Sequence, residues 1–235
     1  QAAAELKPKY LDETLLSTAS LALSSVRLEI GRLGERVQLM FDKIFSAALS
    51  GDEQELQAVV EMDEDVDSLH GHIVMFLGKL SMTKLSAREA DELMDLIQAV
   101  NYLEHIGDII QNNMKTLGMR RIEERIVVSE RTMRILKKYH EQVAKALDDT
   151  VKAVANDDAE AAVRVRAMRK DIAHLTKDVA RHEIERLMAH EPNRLKTYIR
   201  EVEIIEHMDQ IFEICRDVAR IETPELPALE PEEVS

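Results

Sequence analysis

YLEHIGDIIQ (102–111) and IIEHMDQIFE (204–213) carry Glu-His at the same place, with Glu104 falling on Glu206 at an offset of 206 minus 104, or 102. Upstream, MDEDVDSLHGHI from Met62 lines up with MRKDIAHLTKDV from Met168, an offset of 168 minus 62, or 106, and Gly51 and Asp157 share that second offset. Two close offsets, separated by a difference in loop length, are what a tandem duplication leaves behind. Chance likeness between two amphipathic helices does not readily repeat Glu-His at one position of the third helix of each set.

The units being repeated are helices. Leu28, Leu33, Val37, Met40, Ile44 and Ala48 recur at helical spacing, and Leu56, Val59, Val66, Leu69, Ile73 and Leu77 do the same in the next run. The five prolines are Pro8, Pro192, Pro224, Pro227 and Pro231, so the span between Lys9 and Glu191 contains none. A Pro-free run of that length with only occasional Gly supports long uninterrupted helices. Breaks are expected at SGDE (50–53), SMTKLS (81–86), TLGMRR (116–121), ANDDA (155–159) and HEPN (190–193). The predicted fold is therefore all-α: six long helices forming two pseudo-repeated up-down three-helix bundles. Residues 1–20 read as an entry segment in which an Asp can cap the next element, 21–119 and 120–222 as the two repeats, and 223–235 as an acidic, Pro-rich tail with the composition of a disordered segment.

Composition narrows the function. The formal net charge of -14 disfavours nucleic acid and anionic membrane surfaces and favours cations. No stretch approaches the roughly 20 apolar residues of a membrane span, and no signal peptide is visible. Cys215 stands alone inside IFEICRDVARI, where it reads as a small buried hydrophobe in a reducing compartment. The chain opens at Gln1, from which a missing N-terminal part is expected.

The chemistry lies in carboxylates. Glu104 and Asp108 are four residues apart among Leu103, Ile106, Ile109 and Ile110, and Asp63 and Asp67 repeat that spacing within EMDEDVD. Like charges on one helix face repel by a few tenths of a kcal/mol when exposed, and more strongly where water is excluded. Paired carboxylates on adjacent helices would converge as four to eight oxygens, the arrangement that holds hard or borderline cations, and a bound cation would offset the repulsion. For EMDEDVD taken alone, a solvated acidic face is the simpler account.

YLEHIGD, the acid-rich second helix and the duplicated three-helix unit together resemble the PhoU family across about residues 20 to 220. The resemblance implies divalent or trivalent metal ions, iron, zinc or another, held singly or as a multinuclear cluster. Asp63, Asp67, Glu104 and Asp108 match the family's ligand positions in the first half. In the second half Glu206 matches, while Gln210, Arg169 and Ala173 stand where Asp108, Asp63 and Asp67 stand in the first. A second cluster is thereby in doubt, and Asp209, one residue early, points about 100° away on the helix. The resemblance also implies a non-catalytic regulator of phosphate transport at the cytoplasmic face of the membrane. Its expected partner is a phosphate transporter membrane domain or a phosphate-signalling protein, with self-association left open. GKLSMTKLSAREADEL stands where free-standing members carry a Pro-containing segment, and with the KPKYLDETLL entry it makes the chain look more like the cytoplasmic part of sodium/phosphate cotransporter-like proteins.

Two other classes compete. A di-metal carboxylate oxidase of the ferritin type wants Glu-x-x-His on two helices, and no Glu here is followed by His three residues later. Asp67/His70 and Asp171/His174 have the spacing but fall two positions out of register between the repeats. A metal-free scaffold could use RRIEERIVVSERTMRILKKYH as a partner surface, although a solvated charged helix explains that run as well.

Overall fold

In the computed structural model, residues 6–126, 128–188 and 194–226 are described. Their helices are α1 (Ala19–Ser50), α2 (Glu53–Ser81), α3 (Ala87–Asp108), α4 (Lys115–Glu123), α5 (Glu130–Asn156), α6 (Ala159–Ala167), α7 (Arg169–Met188) and α8 (Arg194–Ile221), and no strand occurs among the described residues. Six-residue π-helical segment Ile109–Met114 joins α3 to α4, and α6 meets α7 at a tightened turn on Met168, so the elements form six rods, three to each repeat.

The ends of the rods reflect local chemistry. Gly51, at φ 78°, ends α1 in the left-handed region that Gly adopts without penalty, and the Asp52 side chain then accepts from the Gln54 and Glu55 amides to start α2. The second repeat uses the same device: Asp157 takes the left-handed position at φ 53°, and Asp158 accepts from the Ala161 amide. Ser86 and Glu89 form a reciprocal capping box at α3, and Ser129 caps α5. Asp12 caps a short 3-10 turn over Glu13–Ser17 in the entry segment.

One break falls elsewhere than the sequence suggests. TLGMRR is helical: α4 runs on to Glu123, and Arg125, at φ 53°, lies in the turn that follows it. Gly118 serves packing there: a Cβ on it would stand 2.9 Å from Leu56 Cδ2 and 3.5 Å from Ala48 Cα. The HEPN break at 190–193 and residues 227–235 of the tail lie outside the described residues.

α1, α2 and α3 pack on one another, as do α5, α6 and α8, while α1–α5 and α3–α8 contacts join the repeats. The buried residues form one continuous core running through both repeats. At the α1–α5 crossing, a Cβ on Gly34 would sit 2.6 Å from both γ-carbons of Val151, and one on Gly31 would sit 3.1 Å from Ala155 Cβ. Arg27 crosses the same seam. Its Nε donates to Glu92 Oε1 at 2.9 Å, its Nη1 donates to the Val154 carbonyl at 2.8 Å, and Asp157 and Glu222 carboxylates lie 3.6 Å away. Fully buried Glu29 holds the entry segment on α1: its Oε2 accepts from the Lys9 and Tyr10 amides at 2.8 and 2.7 Å, and Arg32 bridges its Oε1 to the Lys7 carbonyl. Cys215 is buried and free, and no helix among the described residues is long and apolar enough to cross a membrane.

Candidate metal centre

Asp63 and Asp67 stand on α2, Glu104 and Asp108 on α3, and the two helices run antiparallel in contact. Asp63 is the deepest, with 3% of its surface exposed, on the same face as Leu56, Val59 and Val66. Its Oδ1 lies against the backbone of α3, where a Cβ on Gly107 would approach to 3.1 Å. That contact explains the Gly in Glu-x-x-Gly-Asp: without a side chain at 107, the carboxylate of one helix can lie beside the backbone of the other. Glu104 and Asp108 are half-buried beside it, and Asp67 is exposed at the rim.

The four groups act on one another. Burial first, then the charges of Asp67, Asp108 and Glu104, push the Asp63 carboxyl up to about 7. Burial and Asp108 also raise Asp67 and Glu104, against a lowering from His70, whose Nε2 lies 2.8 Å from Asn101 Oδ1. None of the four makes an ion pair with Lys or Arg among the described residues; Arg36, on the facing side of α1, goes to Asp65 instead at 2.8 Å. Asp63 accepts no hydrogen bond there either. A carboxylate this buried and unpartnered is costly, and its surroundings are three more carboxylates. The donor set is all oxygen, which suits hard and borderline cations. No three His, Cys, Asp or Glu side chains among the described residues already converge in ligating geometry, so a cation would have to draw the carboxylates inward.

Glu206 is exposed on α8, as is Gln210, while Ala173 is exposed on α7. Asp209, which the sequence set aside for its direction, turns inward in the second repeat, where Glu201 on the same helix is buried more deeply still. Tyr139, on α5 and fully buried, donates its hydroxyl to Asp209 Oδ1 at 3.0 Å and lies 3.1 Å from Thr176 Oγ1 on α7. Burial raises the Asp209 carboxyl, and the Tyr139 hydrogen bond opposes that rise. The positions equivalent to the four acids hold Arg169, Ala173, Glu206 and Gln210, and the half-buried Asp209 pairs with a neutral donor instead. Periodicity places Tyr139 on the apolar stripe of α5 with Leu136 and Val143, but it does not name the partner across the helices. Asp171 and His174 are exposed, so the weak Asp-x-x-His register gathers no site in the second repeat.

The arrangement has relatives. The structure of PhoU from Pseudomonas aeruginosa superposes with a TM-score of 0.76 at 20% identity, over 85% of this chain and 94% of that one. The phosphate transport system regulatory protein PhoU from Streptococcus pneumoniae gives 0.75 at 16%, over 90% and 100%. In sequence, YjbB of Salmonella typhimurium LT2, a protein named for inorganic phosphate export, is 25% identical over 182 residues. Its counterpart in Escherichia coli K12 is 20% identical over 215 residues. The chain spans only 33% and 39% of the lengths of these two curated relatives. The profile of the PhoU domain matches residues 30–117 and 136–221, one match in each repeat, and the chain belongs to the PhoU domain family.

Proposed function

We propose that this chain is a metal-binding regulatory unit of phosphate transport, not an enzyme, and that its metal is held by Asp63, Asp67, Glu104 and Asp108. The observation that carries the reading is Asp63: a carboxylate almost wholly removed from solvent, without a hydrogen-bond partner among the described residues and facing three other carboxylates. Divalent or trivalent iron, zinc or a similar ion would supply the missing positive charge, and these residues would hold it between α2 and α3. Glu206 contributes little to that ion, and the second repeat keeps its own inward acid through Tyr139.

The unit acts at the cytoplasmic face of the cell membrane, on a phosphate transporter membrane domain. The PhoU membership of the chain and the names of the YjbB proteins support phosphate as the cargo. That the chain covers 33% and 39% of those proteins fits its being the regulatory portion of a longer phosphate-transport protein, which on our reading is of the sodium/phosphate cotransporter kind. A second reading, a free-standing phosphate-signalling regulator, is favoured by the match to nearly the whole length of two PhoU structures.

Elemental analysis of protein purified without chelator tests the metal. Glu104→Ala with Asp108→Ala should abolish bound metal and Glu206→Ala should leave it in place; equal loss from both would overturn the assignment. Deleting residues 20–220 from the natural gene product should alter phosphate flux or its response to phosphate supply, and unchanged flux in rich and starved cells would refute the regulatory role.

A further inference from the structure

The groove between α2 and α3 does not stop at the carboxylates. One and nearly two turns past Asp63 towards the start of α2 come Val60 and Gln57, and one turn past Asp108 come Gln111 and Asn112, in the π-helical segment. These residues line a cleft of about 670 Å³ together with Lys115, Thr116, Met119 and Arg120. Glu53 and Glu123, from the first turn of α2 and the last residue of α4, line it as well.

Three observations set the cleft apart from an ordinary charged helix face. The backbone changes pitch there: the Lys115 N–H donates to the Ile110 carbonyl, five residues back. A π turn interrupts the α ladder, and such turns are found disproportionately at functional sites. It also breaks the helical register beyond Asp108, changing the direction in which Gln111, Asn112 and Lys115 project. Second, neither Lys115 nor Arg120 makes an ion pair among the described residues, although Glu53 and Glu123 line the same cleft. Arg200, by contrast, takes Glu124 at 2.8 Å and also binds Glu203. Third, the side-chain amides of Gln57 and Gln111 make no hydrogen bond among the described residues, which leaves their N–H groups available beside the two cations.

We propose that this cleft binds a small tetrahedral oxyanion, with Lys115 and Arg120 supplying charge and Gln57 and Gln111 neutral donors. Arg presents a fork of N–H groups to oxyanions, and Lys a compact charge. The nearest of the four carboxylates, Asp108, stands one turn from Gln111 and two from Lys115; the four repel an anion while they are bare and attract it through a cation once they hold one. Oxyanion and cation should therefore strengthen each other's binding, and by linkage the two factors must be equal. This coupling, though not the cleft itself, rests on the metal reading above.

The test uses inorganic phosphate and Mn²⁺ on the whole chain. Phosphate titrated in the presence of chelator should give saturable amide shifts at Gln111, Asn112 and Lys115. Lys115→Gln combined with Arg120→Gln, the first at a half-buried and the second at an exposed position, should weaken that binding tenfold or more, the loss expected for charged hydrogen bonds. Shifts that never saturate, or a double variant that binds as well as the parent, would overturn the oxyanion site. In Mn²⁺-loaded protein the phosphate affinity should rise, and Mn²⁺ affinity in saturating phosphate should rise by the same factor; no change in either would overturn the coupling. Without phosphate, the Lys115/Arg120 variant should bind Mn²⁺ normally and Glu104→Ala/Asp108→Ala should not, so failure of the metal site and failure of the oxyanion site give different results.

Discussion

Replacing Asp63 by Asn should make the metal-free protein more stable, and by an amount that depends on pH. In the folded chain the Asp63 carboxyl sits at about 7, against 3.8 when unperturbed. Below pH 3.8 both the folded and the unfolded chain carry its proton. As pH rises further, the unfolded chain releases that proton while the folded chain keeps it, so folding loses stability until the folded group also ionises near pH 7. Taken over the interval from 3.8 to about 7, the loss is on the order of 4 kcal/mol at 1.36 kcal/mol per pH unit. Asn keeps the shape and cannot ionise. In urea unfolding with chelator present, wild type and Asp63→Asn should be similar at pH 4, and the variant should be more stable by a few kcal/mol at pH 8. Added metal should reverse the order at pH 8 by stabilising wild type alone. A variant that is the less stable one at pH 8 in chelator would refute the claim that this carboxylate is buried at a net cost.

Packing and burial set three further outcomes. Gly34→Ala should cost about 1–2 kcal/mol by chemical denaturation, because its Cβ would meet Val151 at 2.6 Å; Gly71→Ala, where nothing lies within 4 Å, should instead gain roughly 0.5–1 kcal/mol from helix propensity. Glu29→Ala should release the entry segment, with faster hydrogen exchange at the Lys9 and Tyr10 amides and a stability loss of about 2 kcal/mol. The Cys215 thiol, fully buried and pushed up to about 12 by burial, should resist thiol reagents in the native protein and react once it is unfolded in urea.

Much of this molecule is legible in its residues. The duplication, the helical class and the mutual influence of Asp63, Asp67, Glu104 and Asp108 come from spacing alone, because a helix face is a periodic property. What spacing hides is why a Gly is present. Gly118 looks like a stop signal and is instead a place where Leu56 needs room, a contact between residues 62 positions apart in the chain. Partners chosen across helices are hidden for the same reason: the Tyr139–Asp209 hydrogen bond spans 70 residues. Glu29 was within reach of pattern reading, since it falls on the same buried stripe as Val26, Ile30 and Leu33, where an acid calls for a partner. The π turn is the opposite case: Ile and Asn make IIQNNM only a middling helix former, but propensity does not separate a π turn from a frayed α-helix.

The seam where Gly31 and Gly34 admit Ala155 and Val151 changes how the link between the repeats should be regarded. Helices that approach this closely meet as the two faces of a dimer do, and the peptide from Glu123 to Glu130 then serves as a tether. A tether of this length holds its ends at an effective concentration in the millimolar range, so each repeat always finds its mate. Cutting the tether with a protease would convert one folding unit into a complementing pair, whose cohesion depends on dilution as that of the intact chain does not.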